Sequence, residues 1–415
     1  MALRVAVSTN APWVGSGYGA QMAELGPRMK ADGHDVSILA NYGLSGTVLD
    51  WNGISVYPQG IDAYSNDLHP AQMARIREET KDRPFLGMTL FDVWPLKNPE
   101  WDNVPLLSWT PIDHSPVTPE VLQFFRRGGR KWAVAMSRFG EAELLNAGLP
   151  RDQIFYAPHS FNPEVWRPDG ETMRKTMSIP ENAHLTWINA ANKGSTPVRK
   201  CWGEQLTAWA IFAARHPDAY LYLHTDLSGI AQGVALEPIM NALKIPRDRV
   251  RIVPQYEYRM GIDQATVAKI TRSADVLLHA TRGEGFGVSQ IESLASGVPI
   301  ISTRWTAMTE LCGAGWLVEG QVEWDSFQGS WWKVPNIEAI VAALEASYAL
   351  KGDTAGSAAM KAQALSFAEQ YATPRVYDEH WKPIFDRMEV ELKKPVPTGG
   401  VNREARRAAL RKGKK

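Results

Sequence analysis

The segment that most narrows what this chain can fold into is ADVLLHATRGEGFGVSQIESLASGVPIIST, residues 274–303. Residues 274–280 form an apolar run of strand length, and 281–287 form a glycine-broken loop. Val288, Ile291, Leu294 and Ala295 recur at helical spacing, Gly297 ends that helix, and 298–303 resume an apolar strand. A flexible loop that ends where a helix begins brings several amide N–H groups and the positive helix end to one place, so a phosphate-bearing ligand is expected there. Glu284 stands in the loop and Glu292 a little over one turn inside the helix. A carboxylate beside an anion site serves hydroxyl groups, because its charge would repel phosphate. Phosphate and hydroxyl recognition together suggest a nucleotide-sugar. The plainer alternative is a βαβ crossover whose glycines only turn the chain. The joint presence of both glutamates, the glycines and the Gly297-Val298-Pro299 exit favours the ligand site.

The run EGFGVSQIESLASGVPII resembles the Glu-x7-Glu signature of retaining glycosyltransferases with the GT-B fold, glycosyltransferase family 4 in particular. The resemblance implies an α/β chain of two Rossmann-like domains whose parallel sheets face an interdomain cleft. It implies that Glu284 and the backbone of Gly285, Phe286, Gly287 and Val288 address the donor sugar and its diphosphate, and that Glu292 holds the nucleotide ribose. The implied donor is a UDP- or GDP-linked sugar, used as substrate with no further cofactor.

Composition agrees. A chain of 415 residues has room for two domains of ordinary size. The opening MALRVAVSTN is a strand pattern with no apolar stretch of signal-peptide length, and no run approaches the roughly 20 apolar residues of a membrane span. The two cysteines, Cys201 and Cys312, make neither a disulfide framework nor a metal-site spacing, which suits a reducing, cytoplasmic setting. Lysines plus arginines equal aspartates plus glutamates at 45 each, but Arg403–Lys415 carries +6, leaving −6 for the first 402 residues. That tail is either a contact for nucleic acid or an anionic membrane, or a solubilising end with no partner. A second basic knot, Arg126, Arg127, Arg130 and Lys131, fits a helix C-terminus closed by Gly128-Gly129.

Elsewhere strands and helices alternate, as in parallel sheets covered on both faces. In the first half, strands are expected at 4–8, 35–40, 85–89, 106–109, 132–136 and 154–157, with helices at 19–32, 70–81, 119–127 and 138–147. A new cycle runs through a strand at 185–190, a helix at 202–215, a strand at 220–224, then 237–243, 251–253 and 263–273. Helical pattern returns at 337–350 and 356–370. The polar, proline-bearing stretch 162–182 reads as a linker. The expected division is 1–165, acceptor side; 166–372, nucleotide-sugar side; 373–392, a helix crossing back to the first domain; and 393–415, the basic tail. Sixteen tryptophans are scattered without period, so core packing is their expected use.

Ligands in such sheets bind beyond the carboxyl ends of the strands, so three more loops can reach the cleft. NAPWVGSGYGAQ carries Gly15 and Gly17 before a helix; its spacing is not GxGxxG, and the second strand ends without an acidic residue, so a dinucleotide site is disfavoured. In the resembled family an equivalent glycine-rich loop faces the donor diphosphate. INAANKGSTPVRKCWGEQ offers Arg199 and Lys200, where the family places a basic pair against the diphosphate. Here Cys201 replaces the family's glycine, and Asn192 or Lys193 lies nearest to the missing upstream arginine, displaced by about one residue. SWTPIDHSPVTP offers Asp113 and His114 at a strand end, matching the family's His or Asp-His near the acceptor hydroxyl. With Glu284 these two are the candidate catalytic residues. APHSFNPEVWRP is similar to the family's interdomain segment.

No Asp-x-Asp occurs, so no metal site and metal-independent transfer are expected. The reading is a retaining glycosyltransferase. A nucleotide-sugar epimerase, a phosphorylase-like enzyme on the same fold, and a non-enzymatic nucleic-acid-binding relative remain as alternatives. The opening stretch resembles members from actinobacteria and their phages. Acceptors therefore range from surface or lipid-linked saccharides to a hydroxymethylated DNA base or a virion protein.

Overall fold

The computed structural model describes residues 2–80, 82–194 and 198–394. The basic tail lies outside the described residues. The first half supplies β1 (Arg4–Asn10), β2 (Asp35–Tyr42), β3 (Leu49–Trp51), β4 (Ile54–Tyr57), β5 (Phe85–Leu90), β6 (Leu106–Thr110), β7 (Lys131–Ala135) and β8 (Ile154–Tyr156). They form one sheet in the order β3-β4-β2-β1-β5-β6-β7-β8. The second half supplies β9 (His184–Asn189), β10 (Ala219–His224), β11 (Val250–Ile252), β12 (Val276–His279), β13 (Ile300–Thr303) and β14 (Gly315–Val318), in the order β11-β10-β9-β12-β13-β14. Every pairing is parallel except the β3–β4 edge hairpin. Because helices cover both faces, the central strands are buried along nearly their whole length, which is why they read as unbroken apolar runs. Both sheets are doubly wound, with the strand order reversing beside β1 in the first and β9 in the second.

The expected elements recur within one to three residues; helix Trp202–Arg215 matches at both ends. The sequence reading lacked the β3–β4 hairpin, the short helices Gln255–Met260 and Ala307–Leu311, and a second antiparallel hairpin, β15 (Gly320–Asp325) with β16 (Ser330–Pro335). Those helices have six and five residues, too few for a period to emerge.

The stretch expected as a linker is held firmly. Arg174, only 8% exposed, donates to the carbonyls of Ser273 and Ala183 and pairs with Asp275 at 2.7 Å. After residue 372 the chain returns to the first sheet. Trp381 meets Trp109 edge-on at 4.7 Å, Phe385 lies 5.0 Å from His34, and the Tyr377 hydroxyl donates to Asp32 at 2.9 Å. Buried apolar residues of both halves merge in one cluster that includes Trp109, Phe161, Leu185 and Phe286. Of the basic knot, Lys131 meets carbonyls at its own helix end, those of Arg127 and Gly128; Arg127 and Lys131 also bond Asp102, at 2.8 and 2.6 Å, while Arg126 and Arg130 donate to the carbonyls of Ala147 and Glu391, at the ends of other helices.

Candidate functional site

Doubly wound sheets leave a crevice where the strand order reverses, outside the carboxyl ends of the strands. In the first sheet the loops there follow β1 and β5, with β6 next in order. In the second they follow β9 and β12. These loops hold Gly15 and Gly17, Asp92, Asp113 and His114, then Lys193, Arg199 and Lys200, then Glu284 to Val288. The two sets meet. A side-chain carbon built on Gly17 would sit 3.9 Å from Val288 Cγ2, and one on Gly15 equally close to Gly261.

The second-domain half is organised around Glu284. Its Oε2 accepts from Arg199 Nη1 at 2.9 Å, and its Oε1 from Lys200 Nζ at 2.5 Å and Thr281 Oγ1 at 3.0 Å. His279 Nε2 lies 3.3 Å from the same Oε1. Burial alone would raise the Glu284 carboxyl, but Arg199 and Lys200 reverse that and hold it well below the usual range. Lys200 is lowered to about 8, by burial first and Arg199 next, against the pull of Glu284. At neutral pH Glu284 and Lys200 are therefore both ionised, and the carboxylate fixes Arg199 and Lys200 in place. The loop itself depends on close backbone approach. A side chain at Gly285 would come within 2.2 Å of Pro111 Cβ, and Gly287, at φ +110°, caps helix Val288–Ala295. Cys201, where the resembled family has glycine, adopts φ +48° with its side chain fully buried. The chain thus keeps a backbone conformation that glycine adopts without strain.

Glu292 differs from Glu284. It is half-buried, its carboxyl has no hydrogen bond or ion pair among the described residues, and burial pushes that carboxyl up to about 8. Lys193 is exposed and close enough to act electrostatically on both Asp92 and Lys200. Phe286 contributes backbone only, since its ring is buried against His159 at 5.2 Å and Tyr371 at 5.7 Å.

The first-domain half is sparser. Asp113 Oδ1 lies 2.6 Å from His114 Nδ1, and its Oδ2 lies 3.9 Å from Arg199 Nη1. Burial would raise Asp113, but His114 and then Arg199 bring it below its ordinary value. His114 is 4% exposed, and its Nε2 has no hydrogen-bond partner. Asp113 is thus the member of the pair that meets the cleft. Asp92, directly after β5, was not singled out from sequence. Burial and then the nearby Asp113 raise its carboxyl to about 6. Its hydrogen bond is to its own backbone amide, and the hydroxyls of Tyr18 and Tyr64 make none among the described residues. The available signal was a lone charge closing an apolar strand, TLFDVW, whose importance comes from adjacency to β1 and β6 in the sheet.

Comparison with known proteins follows this geometry. Residues 234–330 match the family model described as Glycosyl transferases group 1. No curated protein matches the chain by sequence. Among solved structures, sucrose-phosphate synthase from Thermosynechococcus elongatus superposes with a TM-score of 0.72 at 15% identity, covering 94% of this chain and 100% of that one. Trehalose 6-phosphate synthase from Burkholderia multivorans gives 0.67 at 12% identity, covering 94% and 97%. HepE from Anabaena, solved in complex with UDP-glucose, gives 0.66 at 13% identity, covering 92% and 99%. The fold is GT-B, shared with glycosyltransferases across nearly the whole chain.

Proposed function

We propose that this protein is a glycosyltransferase that moves a sugar, with retention at the anomeric carbon, from a UDP- or GDP-linked sugar to an acceptor hydroxyl. The observation that carries this is the pairing of a fixed cationic pair with a lone half-buried carboxyl. Arg199 and Lys200 are locked on Glu284 at the mouth of the glycine loop, while the Glu292 carboxyl has no partner among the described residues. The diphosphate would lie against Arg199, Lys200 and the amides of Gly285 to Val288, where negative charge grows as the bond to the sugar breaks. Glu292 would hold the ribose hydroxyls. Glu284, whose oxygens already hold both cations, would orient them and keep one edge for a sugar hydroxyl.

No side chain is placed as a protein nucleophile in this reading, so the acceptor oxygen attacks on the face the diphosphate leaves, through an oxocarbenium-like state. The cations and the helix end take the role a metal would fill, and transfer would be metal-independent. Asp92, Tyr18 and Tyr64 line the acceptor side, and a carboxylate there suits a neutral, hydroxyl-rich acceptor group. Such a group belongs equally to a saccharide, a hydroxymethylated base or a glycosylated virion protein. The basic run Arg403–Lys415 would favour a polyanion.

The test is transfer from a panel of UDP- and GDP-sugars to saccharide and hydroxymethylated-DNA acceptors, with product anomers read by NMR. An α-linked product from an α-linked donor supports the proposal. Inversion, phosphorolysis or epimerised donor without transfer would each overturn it. Comparing the full chain with one ending at Val401 across a salt series separates a tail that recruits DNA from one that does not.

A further inference from the structure

The hairpin of β15 and β16 belongs to the second half of the chain, yet it docks on the first-domain loop that carries His114. Ser115 and Trp331 pair like neighbouring antiparallel strands, with Trp331 N donating to Ser115 O at 3.1 Å, and Ser330 Oγ donates to the Pro116 carbonyl. The inner face of the hairpin presents Trp332, whose ring meets His114 at 4.8 Å, and Asp325, which is 8% exposed. Asp325 divides its two oxygens. Oδ1 accepts from the turn amides of Phe327 and Gln328 at 2.9 and 3.3 Å, while Oδ2 lies 3.7 Å from His114 Nε2.

We propose that Asp325 is a positioning residue acting through His114: its carboxylate holds the buried imidazole from the far domain, and the imidazole in turn aims Asp113 at Arg199 and the cleft. His114 Nδ1 donates to Asp113 at 2.6 Å, so carboxylates face both ring nitrogens. A contact of 3.7 Å is too long for a hydrogen bond, so the Asp325 carboxylate acts on the ring through its charge. Other charged groups around the ring stand one residue removed. Arg199 pairs with Asp113 and Glu284, Arg282 lies over the Trp332 ring and pairs with Glu323, and Glu143 accepts from Ser115 Oγ. The line Asp325–His114–Asp113–Arg199 thus starts in the second half, passes through the first-domain loop, returns to the second half at Arg199, and couples hairpin docking to the site. A hairpin that served only to cover the loop would need the Ser115–Trp331 pairing but no second carboxylate on the ring.

The inference rests on the proposed transferase only for its kinetic arm. In protein labelled with 15N-histidine, the His114 ring signals are assigned by their loss in His114→Gln and followed with pH in the absence of substrate. Compared with wild type, Asp325→Asn should lose the doubly protonated ring about one pH unit lower, a tenfold drop in proton affinity. Glu323→Gln, which breaks the ion pair to Arg282 without touching the ring, should keep the wild-type titration. If Asp325→Asn fails to fold, Asp325→Ser supplies the same reading, since it too removes the carboxylate facing the ring. In the kinetic arm kcat should fall about 10- to 100-fold in Asp325→Asn with donor KM within about twofold, and Asp325→Glu should recover part of the loss. An unchanged His114 titration in Asp325→Asn, or the same shift in Glu323→Gln, would overturn the proposal. Absence of transfer by every variant and the wild type would count against the transferase alone, because the spectra decide the link between Asp325 and His114.

Discussion

The two halves of the cleft are built differently. On the second-domain side Arg199, Lys200, Thr281 and His279 all converge on Glu284. On the first-domain side Asp113 and His114 are paired, but the hydroxyls of Tyr18 and Tyr64 make no hydrogen bond among the described residues, and Asp92 meets only its own amide. A cross-linked half suits a ligand that is always the same, since fixed charges cost no reorganisation at the moment of reaction. An unpartnered half suits a ligand that brings its own hydroxyls and satisfies those groups on binding. In the proposed reading the first is the donor side and the second the acceptor side, which makes the contrast testable residue by residue.

The largest effect is expected from Lys200→Ala. It removes one of two fixed cations and leaves Glu284 partly unpaired, so transfer should fall about 100- to 1,000-fold. Steady-state assays with saturating acceptor check this. The pH profile should agree: Lys200 is lowered to about 8, so donor use should decline as pH rises through that value and the cation is lost. Bound diphosphate, by favouring the protonated amine, should move that decline upward in kcat relative to kcat/KM.

Next comes Glu292. Burial keeps it protonated up to about pH 8, so Glu292→Gln mimics its neutral-pH form and should change donor KM only a few-fold. Glu292→Ala should raise donor KM about 10- to 100-fold. Equal losses in both would remove the ribose role. A smaller effect is expected from Asp92→Asn: acceptor KM should rise about tenfold while slow donor hydrolysis is unchanged. In wild type, acceptor use should fall as pH drops through about 6 and Asp92 takes up a proton, and Asp92→Asn should flatten that limb. The smallest effect concerns metals. Excess chelator should leave transfer near the untreated rate, and a collapse restored by magnesium or manganese would show that Arg199 and Lys200 do not suffice.

The same contrast explains what could be read from sequence. The donor half follows β9 and β12 in short local segments. Glu284 and Glu292 are fixed relative to each other by one loop and one helical turn, so spacing alone carried them. Asp92 gains its place from lying between the loops after β1 and β6, a consequence of strand order that no local pattern encodes. Asp325 was harder still. Its hairpin alternates as GQVEWD and SWWKVP around a turn, a legible period of two, but its docking on Ser115 is set by the approach of two domains. The tryptophans of that hairpin divide accordingly: Trp332 is buried on His114, while Trp324 and Trp331 meet edge-on at 5.0 Å and remain 47% and 40% exposed. Core packing therefore describes only part of the tryptophan set. His114 could not be placed from sequence either: its ring is buried, with carboxylates of both halves of the chain facing its two nitrogens.

The central claim is that the loop between β12 and helix Val288–Ala295, with Arg199 and Lys200, binds a nucleotide-diphospho-sugar. Calorimetric titration of UDP-glucose and GDP-mannose, in chelator, into wild type, Lys200→Ala and Glu292→Ala tests it without reference to any acceptor. The account predicts saturable binding of at least one donor by the wild type, weakened about tenfold or more in each variant while both remain folded. Saturable binding of equal strength in all three proteins, or no binding of either donor by the wild type, would contradict it.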